Sequence, residues 1–181
     1  MTTQTTTRSK TYDMVYIAVF AVLIAICSWI SIPTTVPFTL QTFAVFLAVG
    51  VLGGKRGSLS VLIYILLGAV GIPVFAGFSG GLGILLNNTG GYIIGFLFTA
   101  VFLAYFRGEK YSFKRYALLG CVIGIPLIYV FGVVQLKLIT GMGWDKAIMT
   151  GALPFIPLDI VKCLAAAVIA YPINRIFANN R

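Results

Sequence analysis

Six stretches of the chain run almost free of charged side chains, at about 14–32, 36–53, 57–74, 90–106, 116–138 and 157–177, separated by short segments rich in Gly, Pro and charge. Each is close to the ~20 apolar residues that a helix needs to cross a bilayer. The first run, Met14 to Ile32, is long enough to span and shows no small-residue cleavage pattern, so it is expected to be retained as a span. No internal period repeats, and the connections are too short for a soluble domain. The pattern therefore predicts an all-α integral membrane protein. It has six transmembrane helices in a single domain over 1–181, with residues 1–13 or so as a cytoplasmic N-terminal segment.

Composition strengthens this. Of the 181 residues, 60% are hydrophobic and 9% charged, where soluble domains are roughly half apolar. Cys27, Cys121 and Cys163 each lie inside an apolar run without metal-ligand spacing, so neither a disulfide framework nor a metal site is expected. The net charge of +9 is topological. Arg8, Lys10, Lys55, Arg56, Arg107, Lys110, Lys114, Arg115, Arg175 and Arg181 fall on one side of the predicted spans, and only Lys137 and Lys146 lie near the other. By the positive-inside rule both termini are cytoplasmic. A nucleic-acid role would need a basic face on a soluble domain, which this chain lacks. The stretch "VGVLGGKRGS" from Val49 to Ser58 has Arg56 where a phosphate-binding loop needs Ser or Thr for its metal, so ATP binding is not expected here.

Three connections on the outer side carry unusual sequence. Ser31 to Thr42 holds two prolines and leads through Gln41 into the second span. Gly71 to Tyr92 contains Gly71, Gly77, Gly80, Gly81, Gly83, Gly90 and Gly91, and is too apolar for an exposed loop yet too broken for a helix. Non-helical backbone survives at membrane depth only when buried in protein or lining a cavity, so a re-entrant element in the outer half is expected. Its glycines can serve helix packing alone. However, Phe75, Phe78 and Tyr92 are interleaved with them, and Asn87, Asn88 and Thr89 add amides and hydroxyls, a combination suited to a pocket for a small flat ligand. The third connection, Thr140 to Pro157, leads into the last span.

That last span opens "IPLDIVK", with Asp159 and Lys162 in an otherwise oily helix. Pro157 suits a first helical turn, and Asp159 then lies near the positive end of the helix dipole. Lys162, three residues on, shares its face. Such a pair can be a structural ion pair or can meet one ligand, and ionisable groups within a span point to function by default. The four acids are Asp13, Glu109, Asp145 and Asp159, and there is no histidine. Neither a proton relay nor a di-carboxylate catalytic site can be assembled from these, which leaves a ligand-binding membrane protein rather than an enzyme.

Taken together, "VPFTLQT" (36–42), "LGGKRGSLSVLIYILLGAVGIPVFAGFSGGLGILL" (52–86), "TGGYIIGF" (89–96) and "PLDIVK" (157–162) resemble the BioY family, the biotin-specific substrate-binding (S) components of energy-coupling factor (ECF) transporters. The resemblance covers nearly the whole chain, with Asn87-Asn88 standing where the family commonly has Gly-Pro. It implies capture of biotin from outside a prokaryotic cytoplasmic membrane. It further implies docking on a transmembrane scaffold (T) subunit with two cytoplasmic ATPases, and no cofactor beyond the transported ligand. Biotin presents two ureido N–H donors, a carbonyl, an apolar thioether ring and a valerate carboxylate. Asp159 can accept from the ureido group, and Lys162, Ser79 or Gln41 can donate to an oxygen, either the ureido carbonyl or the tail. Trp29, Phe75 and Tyr92 can flank the rings, with Asn87, Thr89, Gly90 and Gly91 completing the expected site. Ala18, Ala21 and Ala25 on the first span form a small-residue stripe of the kind such S components use against their scaffold, although intramolecular packing would also use it. Competing readings are an S component for another vitamin, a channel-like homo-oligomer or a membrane scaffold.

Overall fold

The structure, a computed structural model, describes residues 3–108 and 111–179, with side chains over 10–108 and 111–176. Lys110, Arg181 and the side chain of Arg8, all used in the charge map, lie outside the described residues.

Helix α1 runs from Thr3 to Trp29, so most of the expected N-terminal segment continues the first helix. A small hairpin follows, β1 (Ser31–Ile32) and β2 (Phe38–Thr39), antiparallel with Ser31 opposite Thr39. Pro33 lies just beyond β1 and Pro37 just before β2, where the missing N–H costs the ladder nothing. Helices α2 (Gln41–Leu52) and α3 (Gly54–Ala69) come next, then one turn, α4 (Leu82–Leu85), and α5 (Gly90–Phe106). Helix α6 (Phe113–Leu119) passes through a π-helical turn (Gly120–Gly124) into α7 (Ile125–Thr140), whose first turn holds a proline. The wider turn accommodates the hydrogen bond that Pro126 cannot make. A short α8 (Trp144–Gly151) precedes α9 (Ile156–Asn179).

Three of these helical stretches are long and apolar enough to cross a membrane: Lys10–Trp29, Phe113–Thr140 and Ile156–Ile176. Helices α2 and α5 are apolar but shorter. At 1.5 Å per residue, the 12 residues of α2 reach only about 18 Å. The expected second span, 36–53, is thus shortened at its N-terminal end, where the hairpin takes over. The third, 57–74, is shifted to 54–69, because the chain turns away after Ala69.

Helix α2 is the centre of the fold. Ten of its residues, from Gln41 to Val51, are buried, as a helix apolar on all sides must be. It packs on α9, α3, α1 and α5, while α5 lies along α7. Helix α1 is different, because one face is buried and the other is not. Ala21 and Ala25 are 2% and 5% exposed and belong to the hydrophobic core, whereas Ala18, Val15, Val19, Val22 and Ile26 face outward. The expected docking stripe of Ala18, Ala21 and Ala25 is therefore split. Its two inner members let α1 approach its own neighbours, and only Ala18 is available to another molecule.

The two ends of the bundle are closed in different ways. At one, Arg56 pairs with Asp13 at 2.8 Å, and Arg107 reaches Asn174, which itself donates to the carbonyls of Gly50 and Ala170. At the other, the connections are tied to one another. Trp29 donates to the Pro73 carbonyl, Asn88 to Thr35, Gln135 to Leu85 and Asn87, and Tyr92 to Gly151.

Candidate functional site

Beneath those tied connections lies a cavity lined by residues from several parts of the chain. Its walls come from the start of α2 (Gln41, Thr42), α5 (Tyr92, Ile93, Phe96), the first part of α7 (Ile128, Tyr129), Phe155 just before α9, and Asp159 and Lys162 in the first turns of α9. The hairpin adds Val36, Pro37 and Thr39, and the glycine-rich connection adds Phe75, Ala76, Ser79, Ile84 and Thr89.

Two aromatic walls are seated by glycine. A Cβ on Gly68 would stand 2.0 Å from the Phe75 ring, and one on Gly132 would stand 2.3 Å from the Tyr92 ring. Without those side chains Phe75 can fold back over the end of α3, 1% exposed, and Tyr92 can lie flat on α7. Tyr92 then donates to the Gly151 carbonyl at 2.8 Å, which fixes its ring.

The polar wall is a chain of hydrogen bonds centred on Asp159, itself 5% exposed. Lys162 Nζ donates to Asp159 Oδ1 at 2.8 Å and to the Thr39 carbonyl at 2.7 Å, and the Tyr129 hydroxyl donates to Asp159 Oδ2 at 2.5 Å. Each carboxylate oxygen keeps a lone pair for a further donor. On the neighbouring wall Gln41 Nε2 donates to the Tyr64 hydroxyl at 2.8 Å, leaving its amide oxygen as an acceptor. Ser79 Oγ donates to the Ala76 carbonyl. The cavity can therefore offer acceptors to N–H groups, an ammonium to an oxygen, and aromatic and aliphatic faces to flat apolar rings.

Of the residues expected from sequence, Asp159, Lys162, Ser79, Gln41, Phe75, Thr89 and Tyr92 line this cavity together. Trp29 does not. Its indole N–H is spent on Pro73, and its ring stacks on Phe78 with centroids 4.9 Å apart, so it braces the glycine-rich connection from outside. Asn87, Gly90 and Gly91 are also absent from the lining. The Asn87 side chain accepts from the amide of Asn88, and its carbonyl accepts from Gln135. Gly90 and Gly91 face the backbone of Leu85 and Phe131 at distances no Cβ would permit, so they serve packing. Tyr129 and Thr39 were not anticipated. The signal for Tyr129 was a hydroxyl in the interior of the expected fifth span, which must find a partner when buried. Nothing local marked Thr39, which contributes a backbone carbonyl.

Comparison with known proteins decides the family. The model of the BioY family matches residues 1–179. The chain belongs to the BioY family. It is 43% identical to the biotin transporter BioY of Thermotoga maritima over 91% of this chain and 96% of that one. It is 44% identical to the probable biotin transporter BioY of Pyrococcus horikoshii over 89% and 95%. Its fold matches the 2.1 Å crystal structure of the S-component for biotin from an ECF-type ABC transporter with a TM-score of 0.85 and 26% identity, covering 98% of this chain and 95% of that one. The matched fold is helical apart from the small hairpin of β1 and β2.

Proposed function

We propose that this chain binds biotin and takes it up across the cytoplasmic membrane of a prokaryote as the S component of an ECF-type transporter. The observation that carries the site assignment is the Asp159 carboxylate, held by Lys162 and Tyr129 in the wall of a cavity with aromatic sides. Buried polar groups of a ligand must be answered by the protein. Asp159 and the Gln41 oxygen can accept the ureido N–H groups, and the Lys162 ammonium can serve the ureido carbonyl. Phe75, Tyr92, Phe96 and Ile128 can enclose the fused rings.

In this reading six helical stretches, α1, α2, α3, α5, α6 to α7, and α9, traverse the bilayer. The short α2 leaves an outer recess that the hairpin and the glycine-rich connection re-enter and cover. The cationic end, where Arg56, Arg107, Lys114 and Arg175 gather, faces the cytoplasm together with both termini. Energy comes from elsewhere. Lys55 and Arg56 lie in the first turn of α3, with Arg56 engaged by Asp13, so the Gly-Lys sequence forms no phosphate cradle. A scaffold subunit and two ATPases supply the work, and the outward face of α1 around Ala18 and Val22 is the surface offered to the scaffold.

The test is calorimetric. Asp159→Asn removes the charge that accepts from the ureido group and should weaken biotin binding by about 1 to 3 kcal/mol, or about 5- to 150-fold. Wild-type affinity in this variant would remove Asp159 from the site.

A further inference from the structure

The cavity lining contains one ammonium and one carboxylate, and they are bonded to each other. Lys162 spends one hydrogen on Asp159 and a second on the Thr39 carbonyl, and the third is the one that serves the ureido carbonyl in the reading above. All other lining side chains are neutral. Lys137, toward the same end of the bundle, sits over the Trp144 ring at 4.8 Å and does not reach the cavity.

This matters for a ligand with an anionic tail. Drawing Lys162 away to a second carboxylate would leave Asp159, 5% exposed, without its counter-charge, and breaking a buried pair in this way is strongly unfavourable. The glycine-rich connection offers no substitute at its bridge. The amides of Phe75 and Ser79 bond each other's carbonyls, Gly81 N–H bonds the Gly68 carbonyl, and Ser79 Oγ is donated to Ala76. What remains for a tail are neutral donors such as the Thr89 hydroxyl, which serve a carboxylate and an amide carbonyl alike. Ser79 and Thr89 are also only half-buried, whereas Asp159, Gln41 and Tyr92 are buried, so the neutral side of the site lies toward the mouth.

Resting on the biotin reading, we infer that the site recognises its ligand by the ring end and leaves the tail carboxylate without a cationic anchor. The ligand class then extends from biotin to N-biotinyl amides, whose tail carries no charge. Calorimetric titration of the full chain with biotin and with biotin primary amide tests this, since the amide keeps the shape and removes the charge alone. The amide is expected to bind within about tenfold of biotin. A protein that binds biotin but holds the amide more than about tenfold weaker overturns the inference. The same pair of titrations on Lys162→Met then identifies the anchor, because a wild-type penalty that vanishes there assigns the tail to Lys162. Failure of biotin itself to bind is a different result. It refutes the functional reading, and the inference falls with it.

Discussion

Both ends of the bundle draw a cation inward, and they do so differently. Lys162 touches a carboxylate, and the pair faces a cavity. Arg107 is 6% exposed and has neutral company: the Asn174 amide and the face of Tyr111 at 5.1 Å, with its Nε unpartnered. Around Arg107 the backbone leaves no room, since a Cβ on Gly53 would meet its guanidinium at 2.4 Å. One end uses its charge to build a recess, and the other uses it to close a joint between α5 and α9. Binding and stability should consequently separate along the length of the molecule. A variant at the cavity end should move affinity, and one at the closed end should move melting temperature alone.

The largest effect is expected from Lys162→Met. It leaves Asp159 buried beside a single neutral donor, and removing one member of a buried pair costs about 3 to 5 kcal/mol. It also cuts the tie from α9 to the hairpin through Thr39. Melting temperature and biotin affinity should both fall. Adding Asp159→Asn to the same chain should restore much of the stability, because no unpaired charge remains, and should leave binding impaired. If the single variant melts and binds like wild type, the pair is neither structural nor functional, and the contrast between the two ends fails.

Gly53→Ala probes the other end. Gly53 has φ 78° and ψ −176°, a region essentially confined to glycine, and it links α2 to α3 above Arg107. A side chain there should cost about 1 to 3 kcal/mol of stability. Biotin affinity, measured on the surviving folded fraction, should stay within about twofold, since additivity holds between distant sites. A marked loss of affinity would mean that the joint at this end communicates with the cavity.

Much of this division was legible in the sequence, and the illegible part has a physical cause. Apolar runs and charge placement locate the helices and distinguish the two ends, because bilayer length and the positive-inside rule act on composition alone. The Asp159–Lys162 contact follows from a three-residue spacing on one helix. Rotation of a helix about its axis does not follow. In a membrane protein the lipid-facing and core-facing sides are equally apolar, so nothing in "AVFAVLIAI" said that Ala21 and Ala25 face inward and Ala18 outward. Long-range partners were equally hidden. Trp29 sits at a helix end suited to either a ligand or a loop, and only the path of the chain at Pro73 shows that it braces a loop. Tyr129 lies 30 residues from Asp159, and a hydroxyl in an apolar span announces that it needs a partner without naming it.

The smallest effect should come from the Arg56–Asp13 bridge, and its smallness sharpens the comparison. It has the same 2.8 Å length as Lys162–Asp159. Its side chains, however, are 35% and 31% exposed, against 16% and 7% in the cavity wall. Water and salt screen charges at that exposure, so a bridge of this kind contributes about 0 to 1 kcal/mol. Asp13→Asn should therefore shift the melting temperature slightly at low ionic strength and not at all in concentrated salt, with biotin affinity unchanged. The deficit of Lys162→Met should persist in the same salt titration, because buried pairs are screened much less. If Asp13→Asn instead destabilises the protein as strongly as Lys162→Met, and independently of salt, distance rather than burial governs these pairs. The difference between the two ends would then need another origin.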